Sequence, residues 1–348
     1  MRSLFAVIIV ANALTAATSA EELTLENATR PEPNSQQEPL ASSFSLDLAA
    51  QFMDQASLEW TQSRQCFTCH TNYLYLIARP AVSASAAVSA SGKAHRQIRS
   101  ALEQLVEKRW PEKGPRWDAE VVMTAAVLAM NDNATSGRLH ATTRAALKRM
   151  WSVQRADGGF EWLKCDWPPM ESDDEYGAAI ALLATYSAPN AYASQPDLRP
   201  HLEKLYKYIE HNPPPTLHHR AILLWADSYG ATALNDAQRS EAIQLLLDLQ
   251  RPDGGWVIAA LGDWERADGK PQDTETSDGY ATGFVVYVLR RAGIDAADSR
   301  LQRGLDWLRT NQRASGRWYT RSLHKDNKHF ISHAGTAFAV LALTSCEQ

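Results

Sequence analysis

Gln154-Arg155-Ala156-Asp157-Gly158-Gly159-Phe160, Gln250-Arg251-Pro252-Asp253-Gly254-Gly255-Trp256 and Gln312-Arg313-Ala314-Ser315-Gly316-Arg317-Trp318 are three copies of one turn. Each closes an amphipathic segment and precedes an apolar one. Glycine ends a helix with a tight turn, glutamine bonds the carbonyls left over, and the ring packs beneath. A unit repeated in this way cannot bury its apolar face alone, so the copies stack.

The segments between the turns are of two kinds. In one, apolar residues recur on a single face: Leu139, Leu147 and Met150; Ile243, Leu246 and Leu247; Leu301, Leu305 and Leu308. In the other the residues are apolar nearly all round and small, as in Val121–Met130, Ala178–Leu183, Ala281–Leu289 and Ala334–Leu343. A helix with no polar face has to be enclosed by protein. The amphipathic helices start near Leu46, Lys93, Leu139, Leu198, Asp236 and Ser299, and the enclosed ones near His70, Asp118, Asp173, His218, Asp278 and His333. Six outer helices around six inner ones make an all-α, α6/α6 toroid over residues 46–348.

Arg2, the apolar run Leu4–Leu14 and the small residues Ala16–Ala20 read as a signal peptide over residues 1–20, implying an exported, periplasmic or secreted protein. Residues 21–45, with Pro31, Pro33 and Pro39 and no apolar period, read as a solvated polar linker. A net charge of −5 without a Lys/Arg block argues against a nucleic-acid partner. A membrane-proximal substrate stays open, and the oligomeric state is not readable.

In a toroid the inner helices run the same way, so their N-termini share one rim. That rim collects His70, Thr71 and Asn72, Asp118, Asp173 to Tyr176, His218 and His219, Asp278 and Tyr280, and Ser332 and His333. Such a cluster beside an apolar cavity has the composition of a site. Asp, Ser and Thr are also good helix caps, which weighs against reading each one as functional. Imidazoles gain little at a helix start and are harder to explain that way.

The turns resemble the QW repeats of squalene–hopene cyclases, and the chain thereby resembles the α/α toroids of the terpenoid cyclase and protein prenyltransferase superfamily. Glu171-Ser172-Asp173-Asp174 is similar to the Asp-x-Asp-Asp motif of class II terpenoid cyclases, whose third position protonates an alkene or epoxide. That resemblance implies Asp173 as the acid, with Glu171 and Asp174 in the same motif; His219 and His333 of the rim join them as catalytic candidates. Such an acid is kept protonated by neighbouring carboxylates. Carbocations need ring faces, offered by Tyr73, Trp167, Tyr176, Trp225, Trp264, Tyr280, Phe284 and Phe338, with Asp278 also on the substrate side. The ligand implied is a hydrophobic, isoprenoid-type molecule, cyclised by an intramolecular transferase or simply bound.

Cys66-Phe67-Thr68-Cys69-His70 resembles the attachment signature of haem c, with two thioethers and an axial imidazole. A haem-bearing redox protein on a toroid is therefore a second reading. A Cys66–Cys69 disulfide or a metal such as zinc on Cys66, Cys69 and His70 also fits the spacing. Prenyltransferases bind zinc through Asp, Cys and His, for which Cys165, Asp166 and His333 are loose counterparts. The connection from Gly262 to Tyr280 is long enough to be a functional loop, and its Asp263, Asp268, Asp273 and Glu275 suit either a cation or solvent.

Overall fold

A computed structural model of the chain describes residues 22–64, 67–84, 92–163, 165–169, 173–326 and 330–347. Twelve helices build the barrel. The outer six are α1 (Leu46–Arg64), α3 (Lys93–Gln104), α5 (Ala141–Ser152), α7 (Arg199–His211), α9 (Asp236–Asp248) and α11 (Ser299–Asn311). The inner six are α2 (Leu74–Ser83, led in by a π-helical turn Cys69–Tyr73), α4 (Asp118–Thr135), α6 (Asp174–Ser187), α8 (Leu217–Asp227), α10 (Gly279–Arg291) and α12 (Ile331–Cys346). Neighbouring inner helices touch in sequence from α2 to α12, and α12 returns to α2, so the inner ring is closed. The architecture is an α6/α6 toroid. Among the described residues no helix is long and apolar enough to cross a membrane.

Inner helices are buried along nearly their whole length, as their lack of a polar face requires: Val121 to Asp132 of α4 and Ala334 to Thr344 of α12 are out of solvent. The three repeated turns fasten the outer ring. Gln154 Nε2 donates to Gly158 O (3.0 Å) and His201 O of α7 (3.1 Å). Gln250 Nε2 donates to Gly254 O (2.9 Å) and Arg300 O of α11 (2.7 Å). Gln312 Nε2 donates to Gly316 O (3.0 Å) and Ser45 O (2.8 Å), while its Oε1 accepts from Ser45 N (2.8 Å). Each glutamine thus grips the start of the next outer helix, and the last one grips the first.

The glycine in each turn is required. Gly316 sits at φ +92°, and a Cβ there would lie 2.2 Å from Leu48 O. The indole N–H groups of Trp256 and Trp318 donate to Leu246 O (2.7 Å) and Leu308 O (2.8 Å) of the preceding outer helix.

The segment read as a solvated linker is instead laid against the barrel. Thr24 and Ala28 are buried, Leu40 bridges to Arg313, and Glu38 pairs with the buried Arg317 at 2.5 Å. Arg317 also donates to Glu32 O (2.8 Å) and Pro33 O (3.0 Å). A buried guanidinium needs many acceptors, and an extended Pro-containing chain presents its carbonyls sideways to supply them.

Replacing Gln312 with Ala leaves Ser45 and Gly316 without their partners and should cost about 2–4 kcal/mol of unfolding free energy. Gln302→Ala, which removes only an exposed bond to Ala296 O, should stay within about 0.5 kcal/mol of the parent. Urea unfolding of the two variants makes the comparison.

Candidate functional site

The rim at the inner-helix N-termini is tied together by polar side chains. Asp173 caps α6, its Oδ1 accepting from Tyr176 N (2.9 Å). The same oxygen lies 3.4 Å from His219 Nδ1 on α8. His219 is 1% exposed and Asp173 about a quarter exposed, so the carboxyl stands between a buried imidazole and open space. Next along the rim, His218 Nε2 meets the Tyr280 hydroxyl at 2.8 Å, joining α8 to α10. Asp278 Oδ1 accepts from Thr320 Oγ1 (3.2 Å), and Thr320 N donates to Ser332 Oγ (2.8 Å) at the start of α12. Finally Thr71 Oγ1 lies 2.8 Å from His70 Nδ1 and 3.0 Å from His333 Nδ1, joining α2 to α12.

Asp173 opens onto a cleft of about 490 Å³, lined also by Asp166, Trp167, Thr216, Trp264 and Glu265. Trp167 is held there by its indole N–H, which donates to Glu265 O (2.9 Å). The rings expected near the acid are present. Tyr176 lies 5.1 Å from His219 between ring centres and stacks on His218, with 3° between planes. His218 in turn contacts Phe284 (4.8 Å), and Tyr280 contacts Phe338 (5.3 Å).

Several expectations need correction. Asp174 does not crowd Asp173. It pairs with Arg155 and accepts from Trp162 N (3.1 Å), because one step along a helix turns a side chain by about 100°. Glu171 lies outside the described residues, as does Cys66. Tyr73 is in the wall, its hydroxyl 3.1 Å from Thr124 Oγ1. The lumen is apolar as expected, lined by Leu74, Met123, Tyr176, Ile180, Trp225 and Phe338, but its free volume is only about 30 Å³. That is space for about one water. The lumen's lining comes from α2, α4, α6, α8 and α12.

A thin partition separates cleft from lumen. Trp167 lines the cleft, Pro169 lines the lumen, and the Tyr176 hydroxyl donates to the Pro169 carbonyl. In the long connection, Arg266 holds Asp268 (2.7 Å) and Asp326 (2.9 Å). This guanidinium keeps Asp268 down at about 2, so that carboxylate is spent on an ion pair rather than on a cation.

Burial, not carboxylate crowding, sets the shift of Asp278 on the rim. Asp278 is raised to about 7 by desolvation, against the bonds it accepts from Ala281 N (2.9 Å) and Ile258 N (2.6 Å). His333 is lowered to about 3 by burial and then by the charges of His70 and Arg317, so it is neutral at ordinary pH.

The haem reading requires one space adjoining both Cys69 and His70. Cys69 borders the 30 Å³ lumen, whereas the His70 ring is closed on one face by Phe330 (5.2 Å, 14° between planes) and met by the edge of Trp60 (4.9 Å, 87°). The motif's other thiol, Cys66, lies outside the described residues. No three His, Cys, Asp or Glu converge as metal ligands among the described residues.

Thr71, read from the sequence as a rim residue, bridges two imidazoles, and a residue not singled out beforehand is Thr216, which caps α8 at His219 N (3.2 Å). A second rim pocket of about 490 Å³ lies between the N-terminal arm and α12, bordered by Arg30, Trp60, Arg64, Phe330 and His333. Its wall is the segment that composition marks as a linker, so no sequence signal pointed to it.

Between 3.8 and about 7 the folded chain keeps the Asp278 proton that the unfolded chain has released. This group's contribution to the unfolding free energy therefore falls as pH rises through that window. Asp278→Asn should remove that component, read as a difference in pH slope between parent and variant. Equal slopes would show that Asp278 does not titrate there.

No family model matches the chain, and no curated protein matches its sequence. Solved structures do match its shape. The type II terpene cyclase MstE from Scytonema, in complex with geranylgeranyl dihydroxybenzoate, aligns with a TM-score of 0.54 and 13% identity, over 86% of this chain and 95% of that one. A complex of the same cyclase with merosterolic acid A aligns with a TM-score of 0.53 and 14% identity, over 86% and 94%. For ent-copalyl diphosphate synthase from Streptomyces platensis the values are 0.49 and 17%, and the chain spans 54% of that protein's length. What is shared is the α/α-toroid fold.

Proposed function

We propose that this chain is an exported, terpenoid-cyclase-like protein that takes a hydrophobic, isoprenoid-type ligand at the Asp173 cleft and cyclises it. The observation that carries the reading is the Asp173–His219 pair, 3.4 Å apart, set between Trp167 and Trp264 above an aromatic wall. Asp173 would hand its proton to an alkene carbon or to an epoxide oxygen, whose C–O bond then opens to leave the cation. The imidazole of His219 stabilises the carboxylate left behind. The faces of Tyr176, Trp225 and Phe338 would then stabilise the cation until a proton returns, so that the net change is an isomerisation. A ligand reaching those faces has to displace the Trp167–Pro169 partition, because the lumen is nearly full.

The filled lumen also favours a second reading, a non-catalytic lipid-binding module that uses only the open cleft. Asp173→Asn separates the two. Asn caps a helix about as well as Asp, so folding should change little. Turnover of an isoprenoid such as squalene or geranylgeraniol, followed by product mass spectrometry, should vanish in the variant while quenching of tryptophan fluorescence by the same compound persists. Product formation by the variant would remove the cyclase reading, and binding without turnover by the parent would support the module.

A further inference from the structure

The cleft that opens on Asp173 is built from two loop segments, Asp166–Trp167 and Asp263–Ala267, joined where the Trp167 indole N–H donates to Glu265 O (2.9 Å). Each segment brings an indole and exposed carboxylates: Trp167 comes with Asp166, and Trp264 with Asp263 and Glu265. Among the described residues, none of these three carboxylates is held in an ion pair. Arg266, the one Lys or Arg among the described lining residues, has a wholly buried side chain and is already committed. It pairs with Asp268 (2.7 Å) and Asp326 (2.9 Å) and donates to Ser322 O. We infer that the cleft sorts isoprenoids by the charge of the head group, taking a chain with an ammonium-type head and turning away a phosphorylated one.

This inference rests on the reading that the ligand enters at Asp173. Any chain that reaches that carboxyl lies in a cavity lined by two indoles and, with Asp173 itself, four carboxyl groups. A cleft of one sign with low-dielectric walls focuses its field, concentrating ions of the opposite sign and excluding those of the same sign. The face of an indole is itself negative and attracts a cation. The two effects add for an ammonium group and oppose a phosphate, which finds no uncommitted guanidinium in the described lining to receive it. A neutral alcohol falls between the two. A divalent cation held by these acids would reverse the order by bridging to a phosphate, but the described side chains do not converge as its ligands.

Geranylgeranylamine, geranylgeraniol and geranylgeranyl phosphate share one tail and differ only in the head, and the amine is charged at neutral pH. Each is titrated into the full chain at low ionic strength, with and without magnesium, and binding is read by quenching of tryptophan fluorescence. The amine should bind roughly tenfold or more tightly than the phosphate, with the alcohol between. Raising the salt to about 0.5 M should narrow that spread, because exposed charges are screened. Neutralising the cleft with Asp166→Asn, Asp263→Asn and Glu265→Gln together should narrow it as well. Asn accepts the left-handed backbone at Asp166 (φ 63°) as Asp does, and circular dichroism checks that the variant folds. Asp306→Asn, which removes an exposed acid of α11 away from the cleft, should leave the spread intact. Alcohol or phosphate bound as tightly as the amine would overturn the sorting while the isoprenoid reading stands. So would a spread that neither salt nor the triple substitution narrows. Silence from all three compounds would remove the isoprenoid reading and this inference together.

Discussion

A ring of helices that are apolar on every side is stable only if it has no gap, and here the gap is closed by one side chain. Gln312 bonds both the N–H and the carbonyl of Ser45, so the last outer turn holds the first outer helix. The same amide pattern at Gln154 and Gln250 passes the load around the barrel. Arg317 adds a clamp from the same turn by pairing with Glu38, which draws the N-terminal arm over the seam. With the seam shut, α12 packs on α2 and the apolar faces are removed from water. The hydrophobic term dominates the fold, but this hydrogen-bonded closure decides its shape.

Much of the fold is legible in the sequence because two periodicities alternate. Enclosed segments such as Val121–Met130 lack a polar face, amphipathic ones such as Leu301–Leu308 have one, and the Gln–Gly–aromatic turns mark the joints. The helix starts read from that pattern lie within a few residues of those found. The arm is the failure. Composition alone marks Glu32, Pro33 and Glu38 as solvated, because the buried Arg317 that recruits them lies some 280 positions away in the chain. Long-range acceptance by backbone carbonyls leaves no local trace.

The site was legible in position and less so in detail. A rim of acids and imidazoles follows from parallel inner helices, and Asp173, His219, His70 and His333 are all there. Which neighbours touch depends on angles that spacing does not give. Asp173 and Asp174 are adjacent in sequence yet one meets His219 and the other Arg155. Asp278 is 6% exposed, whereas Asp173, the acid the motif points to, borders a cleft. The lumen volume depends on how side chains of several inner helices, Trp225 and Phe338 among them, pack together, which is a tertiary quantity.

The closure between Ser45 and Gln312 spans 267 positions. Contacts so far apart form only after the chain between them is largely ordered, since the entropy of bringing distant ends together is repaid late. During synthesis from the N-terminus, α1 and the arm emerge first and wait for the turn that holds them. Their apolar faces, Ala49, Ala50 and Met53 among them, stay uncovered for nearly the whole time of translation. The feature that seals the finished barrel therefore also sets the interval in which the nascent chain is most exposed to aggregation.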